Sequence, residues 1–260
     1  MRFSVITVTR NNIEGLKKTH DSVVSQSSED YEWLVIDGAS TDQTREFLQS
    51  LRSPNLRWAS EADTGIYNAM NKGIRDSRGE YLIFMNAGDQ FYDPNVLSNI
   101  SELIDTSSAD LIYGDAVESD GDRQYHKPAR HPSLNAYVMF THHQAIFYKR
   151  LAIVDGYDES FRYGADWALT TKLLNRRGAT TAGHKGPICI FERGGISQRE
   201  DQRRRINSEH WRTYREVGRL PLPVAAAFWI AKTQTNSLRR IAPSLYDLVR
   251  YRKVTANGSR

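Results

Sequence analysis

The stretch Tyr81-Leu82-Ile83-Phe84-Met85-Asn86-Ala87-Gly88-Asp89 constrains this chain most. Five apolar or aromatic residues run unbroken from Tyr81 to Met85 and stop at a small, polar, acidic turn. Flanked by Gly79 and Gly88, such a run reads as a strand buried on both faces, the mark of a parallel sheet covered by helices. It ends in Asn86, Gly88 and Asp89, which puts a carboxylate at its carboxyl end. Open α/β sheets bind their ligands at that edge. A hard cation such as Mg²⁺ or Mn²⁺ takes oxygen ligands there, usually one or two carboxylates with substrate phosphates. Taken alone, Asp89 is more simply a cap or a turn residue; its neighbours in the chain change that reading.

Upstream, strand and helix alternate. Phe3 to Val8 reads as a buried strand, followed by a helix with Leu16, Thr19 and Val23 on one face. A second strand, Glu32 to Ile36, ends at Asp37-Gly38. Ser40 and Gln43 then have the spacing of a capping box for a helix that carries Phe47, Leu48 and Leu51 inward. Leu56 to Ala59 is a short third strand. Glu61 to Gly73 continues as a helix with Ile66, Met70 and Ile74 on one face. Strand–helix repetition with polar residues collected at strand ends predicts a right-handed parallel sheet with one crevice along its carboxyl edge. Asp37, Asp63 and Asp89 all fall on that rim.

The second half changes character. A helix carries Val96, Leu97, Ile100, Leu103 and Ile104, and Asp110 to Asp115 is a strand. Asp120-Gly121 looks like a hairpin turn, and the stretch from there to His131-Pro132 reads as loop. Ala145 to Tyr148 is a strand just after His142-His143-Gln144. Asp166 opens a helix with Leu169, Leu173 and Leu174 inward, closed by Arg176, Arg177 and Gly178. Ile188 to Phe191 is the last clear strand, and Gly194 to Ser197 a flexible loop. From Arg199 onward the pattern is helical and basic, with Leu238, Ile241, Leu245 and Leu248 at helical spacing. That tail is expected either to pack on the domain or to bind a membrane surface or a partner.

A net charge of +4 suits anionic small molecules or an anionic membrane, and is too weak to argue for nucleic acid. Cys189 is the only cysteine, which excludes an intrachain disulfide and fits a reducing compartment. No apolar run is long enough to span a bilayer, and a cytoplasmic location is expected.

With the acids placed, the chain resembles the family 2 glycosyltransferases of GT-A fold, especially those that build bacterial exopolysaccharide or O-antigen repeats. The residues that carry the resemblance are Ser4 to Thr9, Val35 to Asp42, Asp63 to Gly73, Gly79 to Asp89, His143-Gln144 and Ala165-Asp166. It implies an α/β fold: a Rossmann-like, mixed, mainly parallel sheet flanked by helices, with a C-terminal helical extension. Residues 1–198 would be the catalytic domain, with a nucleotide-binding half (1–115) and an acceptor-binding half (116–198). Residues 199–260 would be the basic extension.

The resemblance also implies roles. Asp37 would accept a hydrogen bond from the nucleotide base, with Thr7 and Thr9 beside base and ribose. Asp63 and Lys72 would line the same pocket, and Asn86 and Gly88 would lie along the nucleotide sugar. Asp89 matches the last acid of the family's metal-binding motif, and the cofactor would be Mn²⁺ or Mg²⁺. Asp166 matches the catalytic base, and His143 with Gln144 would sit on the acceptor side. Two positions of the metal motif that are usually acidic are Asn86 and Gly88 here, and the base motif is Ala-Asp where Glu-Asp is usual. The expected partners are a nucleotide-sugar donor and a saccharide or lipid-linked saccharide acceptor, with peripheral membrane contact through the C-terminal helices and no nucleic acid. The rival readings are a nucleotidyltransferase, which would carry a Gly-rich basic loop after the first strand where Thr9-Arg10-Asn11-Asn12 stands, and a non-catalytic sugar-nucleotide or polysaccharide-binding protein.

Overall fold

The computed structural model describes residues 1–121, 123–193, 202–241 and 253–256. The first half builds β1 (Phe3–Thr9), α1 (Ile13–Val24), β2 (Tyr31–Asp37), α2 (Thr44–Ser50), β3 (Leu56–Ser60), α3 (Ile66–Asp76) and β4 (Tyr81–Phe84). The second adds β5 (Gln90–Phe91), α4 (Val96–Ser107), β6 (Leu111–Ser119), β7 (Arg123–Lys127), β8 (Ile146–Lys149), α5 (Ala165–Leu174) and β9 (Thr181–Glu192). The chain then forms α6 (Arg203–Arg212), a π-helical turn (Thr213–Val217), α7 (Leu222–Ile241) and β10 (Lys253–Ala256).

One mixed sheet runs β10-β7-β6-β8-β4-β1-β2-β3, with β9 beside β6 and β5 on β9. Pairings among β1 to β4 are parallel; β8, β7 and β10 enter antiparallel. β1 lies between β2 and β4, so the strand order reverses at its carboxyl end, where doubly wound sheets open their crevice.

Alternate residues of the central strands feed two cores. Val5, Trp33 and Ile83 face the layer of α1 and α4, with Leu16, Val23, Leu97 and Ile100. Ile6, Leu34 and Leu82 face the opposite layer, with Met70, Ile74, Leu169 and Leu173. This is the period-2 alternation of a strand covered on both sides, and every residue of β1, β2 and β4 is buried.

Some local expectations fail for identifiable reasons. Gln43 makes no side-chain cap at α2, and Ser40 turns its hydroxyl to Asp37; the Thr44 N–H donates to Asp42 Oδ1 (3.1 Å). The helix expected from Glu61 begins at Ile66, which is 43% exposed, and Tyr67 and Ala69 take the buried positions with Met70 and Ile74. The polar stretch after Gly121 contains β7, which pairs along β6. The helical reading as far as Lys253 is corrected at its end, where Lys253 to Ala256 pair antiparallel with β7. The Gly194–Ser197 loop and the helix positions Leu245 and Leu248 lie outside the described residues.

At the amino end of the sheet, Gly79 passes against β1. A Cβ there would stand 2.5 Å from the Phe3 carbonyl carbon and the Ser4 nitrogen, both backbone atoms that cannot swing aside. The Gly79 N–H donates to Ser4 Oγ, which itself donates to buried Glu32. Gly79→Ala is therefore expected to destabilise by about 1–3 kcal/mol, seen as a lower urea midpoint with an unchanged slope. A wild-type midpoint would show that the entry to β4 gives way freely.

Candidate active site at the carboxyl edge

The Asn86–Asp89 turn is held by α1. Thr19 Oγ1 donates to the Asp89 carbonyl (2.7 Å), and the Gly88 N–H is 3.0 Å from both the Gly15 carbonyl and Thr19 Oγ1. Asn12 caps α1 through Oδ1 and donates from Nδ2 to the Ala87 carbonyl (3.0 Å). Asp89 itself is 5% exposed. Gln144 Nε2 donates to its Oδ2 (3.0 Å), and the Glu192 N–H donates to the same carboxylate. Burial pushes its pKa up to about 7, against the pull of these donors and with the Glu192 charge adding to the rise.

Two oxygens at this edge lack partners among the described residues. They are Asn86 Oδ1 and Thr9 Oγ1, both buried, Thr9 as a residue only 7% exposed. Buried polar atoms are normally satisfied, and these two are left unpaired by the fold among the described residues. Asn86 Oδ1 and the Asp89 carboxylate, three residues apart in one turn, are oxygen groups of the kind that Mg²⁺ or Mn²⁺ takes. No group of three or more His, Cys, Asp or Glu side chains converges for a metal among the described residues.

The β1–β2 side is different from expectation. Asp37 is fully buried, and its carboxylate accepts from the Ser40 N–H (3.1 and 3.2 Å), Ser40 Oγ (2.5 Å) and Ser60 Oγ (2.6 Å). Satisfied on both oxygens, it organises the loop between β2 and α2 and does not stand open to a base. Thr7 is also fully buried, and its Oγ1 accepts from Trp33 Nε1 (2.9 Å). It lies one pleat short of the strand end, inside the core, which leaves Thr9 alone at the rim. Asp63 and Lys72 form an ion pair of 2.6 Å, and Lys72 also meets Glu61 (2.8 Å). Asp63 lies against Gly38, where a Cβ would stand 2.8 Å from its Oδ2.

Asp166 lies in the first turn of α5. Its Oδ1 accepts from the Trp167 N–H (2.8 Å), and the Tyr67 hydroxyl stands 3.5 Å away. A ladder of rings ties this position to β4. Tyr67 packs on Tyr157 (5.3 Å), the Tyr157 hydroxyl is 2.7 Å from His143 Nε2, and His143 stacks on Phe84 (5.0 Å). His143 is therefore a buried ring of the core, its pKa pushed down to about 3 by burial, and not an open acceptor-side group. Gln144 likewise serves Asp89. Burial pushes the Asp166 pKa up to about 6, outweighing its hydrogen bonds, with the charge of Glu209 adding to the rise.

Glu209 is the residue that sequence reasoning missed most completely. It comes from α6, is 7% exposed, and accepts from the backbone N–H groups of Arg162 (2.7 Å), Tyr163 (2.9 Å) and Gly164 (2.9 Å). It does for the start of α5 what a local cap would do. Asn68 and Asn71, inside the motif that was read, hold the same loop through Glu159 and through Tyr157.

A family model, Glycosyl transferase family 2, matches residues 4–178, more than half of the chain. The chain belongs to this family. A PGL/p-HBAD biosynthesis glycosyltransferase of Mycobacterium bovis is 29% identical over 203 residues, covering 75% of this chain and 78% of that protein. Among solved structures, S. aureus TarS 1–349 in complex with UDP-GlcNAc superposes with a TM-score of 0.65 at 19% identity, over 81% of this chain and 66% of that one. The mannosyltransferase PcManGT from Pyrobaculum calidifontis, in complex with GDP-Man and Mn²⁺, gives 0.64 at 17% identity, over 95% and 84%. At such identities the likeness concerns the fold, which is GT-A.

In this glycosyltransferase the position before Asp166 is Ala165, fully buried in the core, so the familiar Glu-Asp pair is absent. Glu209, from α6, is the carboxylate whose charge reaches Asp166, while its oxygens accept from the backbone of the loop before α5. Glu209→Ala is expected to leave three backbone donors unpaired. The cost is about 1–3 kcal/mol, and faster hydrogen exchange should be confined to the amides of Arg162, Tyr163 and Gly164. Unchanged exchange at those amides would show that the loop holds itself.

Proposed function

We propose that the protein is an inverting, metal-dependent glycosyltransferase that moves a sugar from a nucleotide-diphosphate sugar, with uridine favoured as the base, to a hydroxyl of a saccharide or lipid-linked saccharide in bacterial surface polysaccharide synthesis. The observation that carries this reading is the pairing of two features at one sheet edge. Two oxygens without partners among the described residues, Thr9 Oγ1 at the end of β1 and Asn86 Oδ1 in the turn after β4, lie at the same sheet edge as buried Asp89. A separate carboxylate, Asp166, is anchored to the same strand by the ring ladder from Phe84.

Residues 1–115 would bind the donor, with Thr9 beside base and ribose and the Asp63–Lys72 pair on the pocket wall. Asn86 and Asp89 would hold the cation, which when bound neutralises charge on the diphosphate leaving group. Solved relatives of this fold carry such ligands, among them a Mycobacterium tuberculosis glucosyl-3-phosphoglycerate synthase in complex with Mn²⁺ and UDP, with a TM-score of 0.59 at 15% identity. Residues 116–198 would receive the acceptor. Asp166 takes the proton from the acceptor hydroxyl as its oxygen attacks the anomeric carbon from the face opposite the leaving group. A pKa near 6 suits this work: the group is mostly ionised at pH 7 and still basic enough to accept the proton.

Within residues 202–241, Glu209 holds the loop before α5, and Tyr214, Ala225 and Phe228 pack against Trp167 of α5. On its outer side α7 exposes Leu222, Val224, Trp229 and Ile230, and Trp229 and Ile230 line a cavity with Arg204. This apolar and basic surface supports contact with the cytoplasmic face of a membrane, where a lipid-linked acceptor would be presented. No helix among the described residues is long and apolar enough to cross the bilayer.

Asp166→Asn keeps the size and the hydrogen bond to Trp167 but cannot take a proton. Turnover should fall by on the order of 10² or more, with calorimetric donor affinity unchanged. In the wild type the rate should fall as pH drops below about 6, because protonation removes the base. In Glu209→Gln that acid limb should move to lower pH, since a negative neighbour is gone. Less than a tenfold loss in Asp166→Asn with donor binding intact would remove Asp166 from the chemistry.

A further inference from the structure

The turn that should hold the cation is short of charge. Of the positions where the family usually carries acids, Asn86 and Gly88 are neutral and Asp89 alone remains. The space left by Gly88 is not empty. Gly88 sits at φ +109, and a Cβ built on it would stand 2.6 Å from Glu192 Oε2, a carboxylate oxygen of the last residue of β9. Glu192 therefore places its charge in the volume that an acidic side chain at residue 88 would enter.

Glu192 also touches the rest of the turn. Its N–H donates to the Asp89 carboxylate, which fixes the end of β9 against Asp89. Its Oε1 lies 2.9 Å from Lys18 Nζ on α1, and the pair is about half exposed. An exposed pair of this kind contributes little to stability, so fold maintenance does not explain a glutamate here. Oε2 is left over the turn, and the neighbouring Asn86 Oδ1 is buried without a partner among the described residues. Two carboxylates of like charge are a poor arrangement for one another and a good one for a divalent cation.

We propose that Glu192 is the second carboxylate ligand of the cation site, replacing from β9 the acid that the turn has lost at Gly88. This rests on the cation-dependent donor binding proposed above. A swap of this kind moves the charge from the β4 turn to a neighbouring strand and leaves the net charge offered to the metal at two carboxylates.

The test is calorimetric binding of UDP and of GDP to the full chain, each with and without Mn²⁺, with free Mn²⁺ followed by electron paramagnetic resonance. Wild type, Asp89→Ala, Glu192→Gln and Lys18→Gln are compared, and thermal melting checks that each is folded. Wild type should gain nucleotide affinity with Mn²⁺, and Asp89→Ala should lose that gain. Glu192→Gln should lose at least tenfold of it while nucleotide binding without metal stays within twofold. Lys18→Gln breaks the same ion pair but should keep the gain. A full Mn²⁺-dependent gain in Glu192→Gln, or an equal loss in Lys18→Gln, overturns the assignment and leaves the donor-binding reading intact. Absence of any Mn²⁺-dependent gain in wild type overturns both.

Discussion

The molecule depends on where β4 stops. Buried on both faces in the middle of the sheet, this strand carries only aliphatic and aromatic side chains until it leaves the two cores. Everything polar that follows is pressed into one turn at the carboxyl edge. That turn cannot wander, because Thr19 and Gly15 of α1 and Asn12 at its cap bind its backbone. On the other side, Phe84 carries a ladder of His143, Tyr157 and Tyr67 out to Asp166. A single strand thus sets the place of the Asn86–Asp89 turn and, through the ladder, of Asp166.

The acids at this edge divide by how well the fold satisfies them. Asp37 receives hydrogen bonds on both oxygens, and Asp63 has Lys72. Neither is short of a partner, and both shape loops. Asp89 is buried and Asp166 half-buried, and burial raises both pKa values. Groups left in that condition are the ones free to respond to a cation or a substrate proton. Asp37, which the resemblance sets beside the nucleotide base, is fully buried and hydrogen-bonded to Ser40 and Ser60.

Strand–helix alternation, the two-faced burial of β4 and the gathering of acids at strand ends were legible because they depend on periodicity and on local turns. Side-chain destinations near strand ends were less so. Thr7 and Thr9 share one face of β1, and only the length of the strand decides that one is core and the other rim. His143 looked like a loop histidine because its neighbours in sequence are polar; its burial comes from Phe84 and Tyr157, far away in the chain. Glu209 and Glu192 were invisible for the same reason. Each completes a feature whose sequence signal is a missing acid, at Ala165 and at Gly88, and no local pattern says which distant residue fills such a gap. The tail was open between two readings, and the packing of Trp167 with Tyr214 and Ala225 supplies the first of them.

A single base and one direct displacement make a stereochemical claim. The most direct measurement follows the anomeric proton by NMR as the purified protein turns over a donor of known configuration. An α-linked nucleotide sugar of gluco configuration should yield a β-linked glycoside, read from the larger diaxial H1–H2 coupling. A first-formed product that retains the α configuration would contradict the account, because it would require a second displacement and a nucleophile that Asp166, poised as a base, does not provide.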